Sequence, residues 1–139
     1  MIYSVDVRIT APVNDTEVTD RVADAIRNLF PEAEIESRPG ELVANSHSME
    51  QFSERLHEQA ILDAARAAFF ADRKGNAFSF DLKKQAAFRG VVNFAVGSES
   101  ELGDVHVRVT VEEPDVESFV DHVAPPTEDG TPIDPDEGE

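Results

Sequence analysis

The sequence predicts an α+β domain: a mostly antiparallel sheet with helices packed on one face. Three observations predict it. Two stretches alternate strictly, with Tyr3, Val5, Val7, Ile9 and Ala11 near the start and Val105, Val107, Val109 and Val111 near the end. Period two over that length is a half-buried strand. Between them, apolar residues recur at helical spacing, as in Val18, Val22, Ala25, Ile26 and Leu29. The order of elements (strand, helix, two strands, two helices, strand, short helix, two strands, helix) has several connections that suit antiparallel neighbours, as in a two-layer α+β sandwich.

Each element has its own punctuation. Pro12 ends the first strand. Asn14, with Glu17 three residues on, reads as a helix cap, and Pro31 stops that helix. A strand over 33–38 points Ile35 inward and Glu34 and Glu36 outward, Pro39-Gly40 turns the chain, and a third strand runs over 41–45. Ser48 and Gln51 form a capping-box pattern ahead of Met49, Phe52 and Leu56. Ile61, Leu62, Ala65, Ala68 and Phe69 continue the helical spacing, either as one helix or as two broken near 57–59. Gly75-Asn76 reads as a left-handed stop. Phe78, Phe80 and Leu82 share one face of a strand over 77–82. A short helix follows over 83–89, closed by Gly90. Val92, Phe94 and Val96 mark a strand, 97–103 is a loop, and Pro114 opens a last helix over 115–122. The expected domain is 1–123. Residues 124–139 hold four Pro, two Gly and six acidic residues, and read as a disordered acidic Pro-rich tail.

Composition bounds the function. A chain of 139 residues fits one domain. The absence of Cys excludes disulfides, thiolate zinc sites and cysteine nucleophiles. There are 29 acidic residues against 12 basic ones, a net charge of −17, and only three of the basic residues are Lys. Such a chain repels itself in dilute solution, whereas in molar salt the Debye length falls to about 3 Å. That points to adaptation to a very salty cytoplasm; the other reading is an acidic protein of ordinary salt with a basic partner. Residues 1–6 have neither a basic nor a long apolar leader pattern, and no stretch is apolar enough to span a bilayer, so the expectation is cytoplasmic with no membrane association.

No catalytic constellation stands out. The four His (His47, His57, His106, His122) share no metal-ligand spacing. Carboxylate pairs carry no information in so acidic a chain. There is no nucleophile elbow, phosphate-binding loop or dinucleotide glycine run. The reading is therefore a non-enzyme, with no catalytic residue, metal or cofactor. Charge distribution says more. Residues 66–89 carry Arg66, Arg73, Lys74, Lys83, Lys84 and Arg89 against only Asp72 and Asp81, while 1–65 and 90–139 are both strongly acidic. One reading is a phosphate site, with Lys83 and Lys84 at the start of a short helix. The other is that these residues neutralise helix ends and pair with surrounding acid. Because phosphate contacts weaken as salt rises, a nucleic-acid site here also needs hydrogen bonds or stacking, for which Gln85, Asn93 and Phe88 are candidates.

The same region carries a resemblance. The segments Gln59-Ala60-Ile61-Leu62-Asp63-Ala64-Ala65-Arg66, Asp81-Leu82-Lys83-Lys84-Gln85-Ala86-Ala87, Val92-Asn93-Phe94 and Leu102-Gly103, with the Ala11-Pro12-Val13-Asn14 start, resemble an archaeal family of small uncharacterised proteins described as predicted RNA-binding. The resemblance covers roughly residues 2–122 and departs at Lys83, where the family more usually has Asn. It implies a fold like that of the ribosomal protein L-five and RNA as partner; the candidate contacts remain those of the charge reading, Arg66, Arg73, Lys74, Lys83, Lys84, Gln85, Arg89 and Asn93. The runner-up is a protein-interaction module, a homodimer paired through its sheet face or strand edges; an unrecognised enzyme is third.

Overall fold

The structure, a computed structural model, describes residues 3–95, 103–128 and 131–132. Strand β1 (Ser4–Pro12) leads to helix α1 (Thr19–Leu29), then the hairpin of β2 (Glu34–Arg38) and β3 (Glu41–Ser46). Helices α2 (Glu50–Gln59) and α3 (Leu62–Ala71) follow, then strands β4 (Arg73–Lys74) and β5 (Ala77–Lys83), and the single turn α4 (Lys84–Ala87). Strand β6 (Asp104–Glu113) and helix α5 (Val116–Val123) close the domain, and β7 (Thr127–Glu128) pairs with β8 (Thr131–Pro132). The first six strands make one sheet in the order β2-β3-β1-β6-β5-β4, antiparallel at every contact. The two strands that alternate most cleanly, β1 and β6, lie side by side at its centre.

Register decides which face is covered. Val5, Val7, Ile9 and Ala11 of β1 sit beside Val105, Val107, Val109 and Val111 of β6, with Phe78, Phe80 and Leu82 of β5 beyond. These side chains form one core with Val22 and Ile26 of α1, Phe52 and Leu56 of α2, Phe69 of α3 and Val120 of α5. Full burial of one such aliphatic side chain is worth about 1.5–3 kcal/mol. The other face carries the alternate residues, Asp6, Arg8 and Thr10 on β1 and His106, Arg108 and Thr110 on β6, outside that core.

Several boundaries differ from the sequence reading. Glu17 does reach back to the Asn14 backbone N–H at 3.0 Å, but α1 starts two residues later, after Val18, so the pair closes a turn rather than capping the helix. Ser48 Oγ accepts from Glu50 N, not Gln51 N. The break between α2 and α3 falls at Ala60, which adopts the left-handed conformation at φ 57°. Gly75 is left-handed too, at φ +59°, yet it turns the two-residue hairpin between β4 and β5 instead of stopping a helix, because α3 has already ended at Ala71. Arg73 and Lys74 thus lie on an edge strand. The strand expected around Val92 and Phe94 reduces to one bridge, Leu82 to Phe94; Val96 and 97–102 lie outside the described residues. Asp115, not Pro114, caps the start of α5, its Oδ1 accepting from Ser118 N at 2.7 Å.

At the start of the expected tail, Ala124 is buried and Thr127 Oγ1 donates to Asp63 Oδ1 at 2.7 Å. Residues 129–130 and 133–139 lie outside the described residues. No helix among the described residues is long and apolar enough to cross a membrane.

Candidate nucleic-acid interface

The basic residues of 66–89 do not converge. Arg66 is on α3, where Nη1 donates to Asp121 Oδ1 at 2.7 Å and to the Ala124 carbonyl at 2.9 Å, and its guanidinium lies 5.5 Å from the Phe70 ring centre. It ties α3 to the end of α5. Arg73 donates to Glu117 Oε1 at 3.1 Å. Both are ion pairs joining elements, so the pairing with surrounding acid holds for them, although neither sits at the end of a helix.

Lys84 does not fit the reading of a phosphate site at the start of the short helix. The side chain is fully buried, and Nζ donates to the Pro12 carbonyl at 2.6 Å and to Glu17 Oε1 at 2.9 Å. The reason is local. As first residue of α4, directly after an outward-facing Lys83, it points under the turn that links β1 to α1. That turn, Pro12 to Glu17, delivers a carbonyl and a carboxylate to the same point. Burial pushes the Glu17 carboxyl up, but the Asn14 backbone N–H and the Lys84 ammonium outweigh it and hold the group below its ordinary value. Glu17 Oε2 is buried and accepts no hydrogen bond among the described residues.

The remaining candidates are exposed: Lys74 on β4, Lys83 at the end of β5, Gln85 on α4, then Arg89 and Asn93. Phe88 is half-buried, with the Arg21 guanidinium 5.7 Å from its ring centre, and packs against the core. Lys74 and Lys83 belong to the helix-free sheet face, because Lys74 pairs with Ala77, and Ala77 and Lys83 share the outward parity of β5.

That face holds two cations that reading along the chain does not bring together. Arg8 and Arg108 are direct cross-strand partners between β1 and β6, and both are exposed. Asn45 lies beside Arg8 on β3, and Ser79 beside Arg108 on β5. The row Glu34, Asn45, Arg8, Arg108, Ser79 thus crosses five strands, with its one acid on the outer strand β2. Neither arginine forms an ion pair or side-chain hydrogen bond among the described residues. In the next row, Asp81 Oδ1 is 2.8 Å from His106 Nδ1. The available signal was that both arginines are outward residues of the two cleanest strands; their adjacency needed the pairing.

A shallow apolar groove of about 490 Å³ runs between α3 and the segment around Val92, lined by Ile61, Ala64, Ala67, Val92 and Phe94, with Asn93 as its polar member. No group of three or more His, Asp or Glu able to hold a metal occurs among the described residues.

Together these features define a small α+β protein with one sheet face under helices and the opposite face free of helices among the described residues. Residues 6–112 match a family model described as RNA binding. A UPF0201 protein of Methanocaldococcus jannaschii is 36% identical over 138 residues, covering 95% of this chain and 79% of that one. A UPF0201 protein of Methanopyrus kandleri is 40% identical over 142 residues, covering 90% and 87%. A UPF0200/UPF0201 protein of Archaeoglobus fulgidus is 36% identical over 131 residues, and the chain spans only 40% of its length. The 2.2 Å crystal structure of the UPF0201 protein from Methanococcus jannaschii superposes with a TM-score of 0.86 at 35% identity, covering 92% of this chain and 98% of that one. The chain belongs to the archaeal UPF0201 family.

Proposed function

We propose that the protein binds RNA, as a non-enzymatic accessory of ribonucleoproteins in the cytoplasm of a halophilic archaeon. The observation that carries this reading is the family description, RNA binding, over residues 6–112. The helix-free sheet face supports it and shifts the expected contact surface. Of the eight residues first considered, Lys74 and Lys83 lie on that face, and Gln85, Arg89 and Asn93 are exposed nearby in sequence. Lys84, Arg66 and Arg73 already have partners within the chain. The net charge of −17 supports the halophilic part of the reading, since such a chain needs screening to stay compact. The test is crosslinking of bound RNA in a halophilic archaeal host, followed by mapping of the crosslinked peptides. Recovery of RNA with crosslinks on β1, β5 or β6 supports the proposal; no recovered RNA above an unrelated acidic control rejects it.

A homodimer is the second reading, and the apolar groove beside α3, with Phe70 and Val91 partly exposed nearby, is the observation that favours it. The strand edges favour it less, because the outer strand β2 presents Glu34, Glu36 and Arg38, charges that discourage edge pairing. Sedimentation equilibrium in molar potassium chloride distinguishes monomer from dimer.

A further inference from the structure

We infer that Arg8 and Arg108 together hold one backbone phosphate of RNA, and that recognition at this face is indifferent to base sequence. The inference rests on the RNA-binding reading and gives it a specific site. The two arginines are cross-strand partners at the centre of the sheet. Side chains so placed start about 4.5–5.5 Å apart at Cβ, close enough for two guanidinium forks to meet on one tetrahedral anion.

Like charges directly opposite on a sheet are unfavourable. Here the conflict stands in a chain with 29 acidic residues, none of which forms an ion pair with either arginine among the described residues. Asn45 and Ser79 flank the pair in its own row. Asp6, two residues from Arg8 and on the same face, pairs with neither arginine among the described residues, and Asp81 is engaged by His106. Local choices that oppose stability mark sites kept for a ligand. The residue type fits the salt as well. A guanidinium is planar, weakly hydrated and bidentate toward phosphate, so its hydrogen bonds persist where simple charge attraction is screened.

No strand residue of this face is Phe or Tyr; Asp6, Thr10, Asn45, Ser79, His106 and Thr110 surround the two arginines. Proteins that bind single-stranded RNA through its bases stack them on aromatic side chains. Without them the face meets the backbone, and phosphate contacts carry no direct sequence information.

The experiment measures binding of two RNA duplexes of unrelated sequence to wild type, Arg8→Gln, Arg108→Gln and the double variant, across a potassium chloride series. Thermal melts are recorded without RNA. The expected result is equal wild-type affinity for both duplexes. Each single variant should weaken binding and make the log–log salt slope shallower by roughly 0.7 to 0.9, the value of one phosphate. The double variant should lose no more than the weaker single. Unchanged binding in all three variants overturns the site and leaves RNA binding itself standing. Additive losses overturn the shared phosphate, and a preference between the duplexes overturns sequence indifference. A lower melting point for Arg8→Gln makes the residue structural and overturns the inference. Failure of wild type to bind either duplex overturns both this inference and the RNA-binding reading.

Discussion

The corner around Lys84 and the centre of the open sheet both gather cations, and the fold treats them in opposite ways. At the corner, a lysine is enclosed with a carboxylate and a carbonyl, and no surface remains for an outside anion. On the sheet, two arginines face each other in the open, and no carboxylate among the described residues meets them. Cation density along a sequence cannot separate these cases. What separates them is whether the fold has already supplied the counter-charge.

The largest expected effect breaks the corner. Lys84→Ala strands the buried Glu17 carboxylate, and removing one partner of a buried pair costs about 3–5 kcal/mol. Denaturant unfolding in molar salt measures it. Replacing both Glu17 and Lys84 with Met should restore most of that loss, since a buried pair exchanged for apolar residues is often neutral. Equal stability of wild type and Lys84→Ala would remove the contrast between the two regions.

Acid probes the same pair. The Glu17 carboxyl is held below its ordinary value of 4.5, so its contribution is present above that pH and is lost as pH falls through the lower, folded value. Wild type should therefore lose stability on acidification below about pH 4.5, and the double Met variant should lose less over the same window. Parallel pH curves would show that Glu17 is not the group responsible.

Gly103 gives a smaller effect at the edge of this corner. Its φ is +82°, and a Cβ there would lie 2.5 Å from Pro12 Cγ. Gly103→Ala should cost about 1–3 kcal/mol, the usual scale of backbone strain of this kind. Gly40, at φ +76° with open space around it, should tolerate Ala better. Thermal midpoints of the two variants make the comparison.

The sequence shows the sheet's two central strands clearly, because alternation over nine or ten residues has one interpretation. It shows that helices lie between them and where Pro and Gly interrupt. It does not show that β1 and β6 are neighbours, and so it hides the Arg8–Arg108 pair. Both arginines appear as isolated outward residues a hundred positions apart. Lys83 and Lys84 fail differently. Adjacent in sequence, they look like one phosphate site, but the chain passes from strand to helix between them and sends the two side chains to opposite environments. Gly75 reads as left-handed from its sequence, yet that conformation serves a hairpin as well as a helix end, and only the pairing of β4 with β5 decides between them.

The smallest expected effect concerns Lys83, and it sharpens the comparison most. Lys83 is exposed at the end of β5, on the helix-free face, with no ion pair among the described residues. Its replacement should change stability by no more than about 0.5 kcal/mol, the ordinary range for such surface positions. Lys84→Ala, one residue on, should be several times more costly. Lys83 lies off the arginine row, near the edge of the face, so on the RNA-binding proposal its phosphate contact would be separate from theirs. Lys83→Ala should therefore lower the salt slope of RNA binding by about 0.7 to 0.9 in addition to the loss from Arg8→Gln. The double-mutant cycle of Lys83→Ala with Arg8→Gln in duplex-RNA titrations checks this. Independent losses place a second phosphate along the face. Strong coupling between the two would mean that they share one contact, and that the bound backbone lies across the strands nearer to β5 than the arginine pair implies.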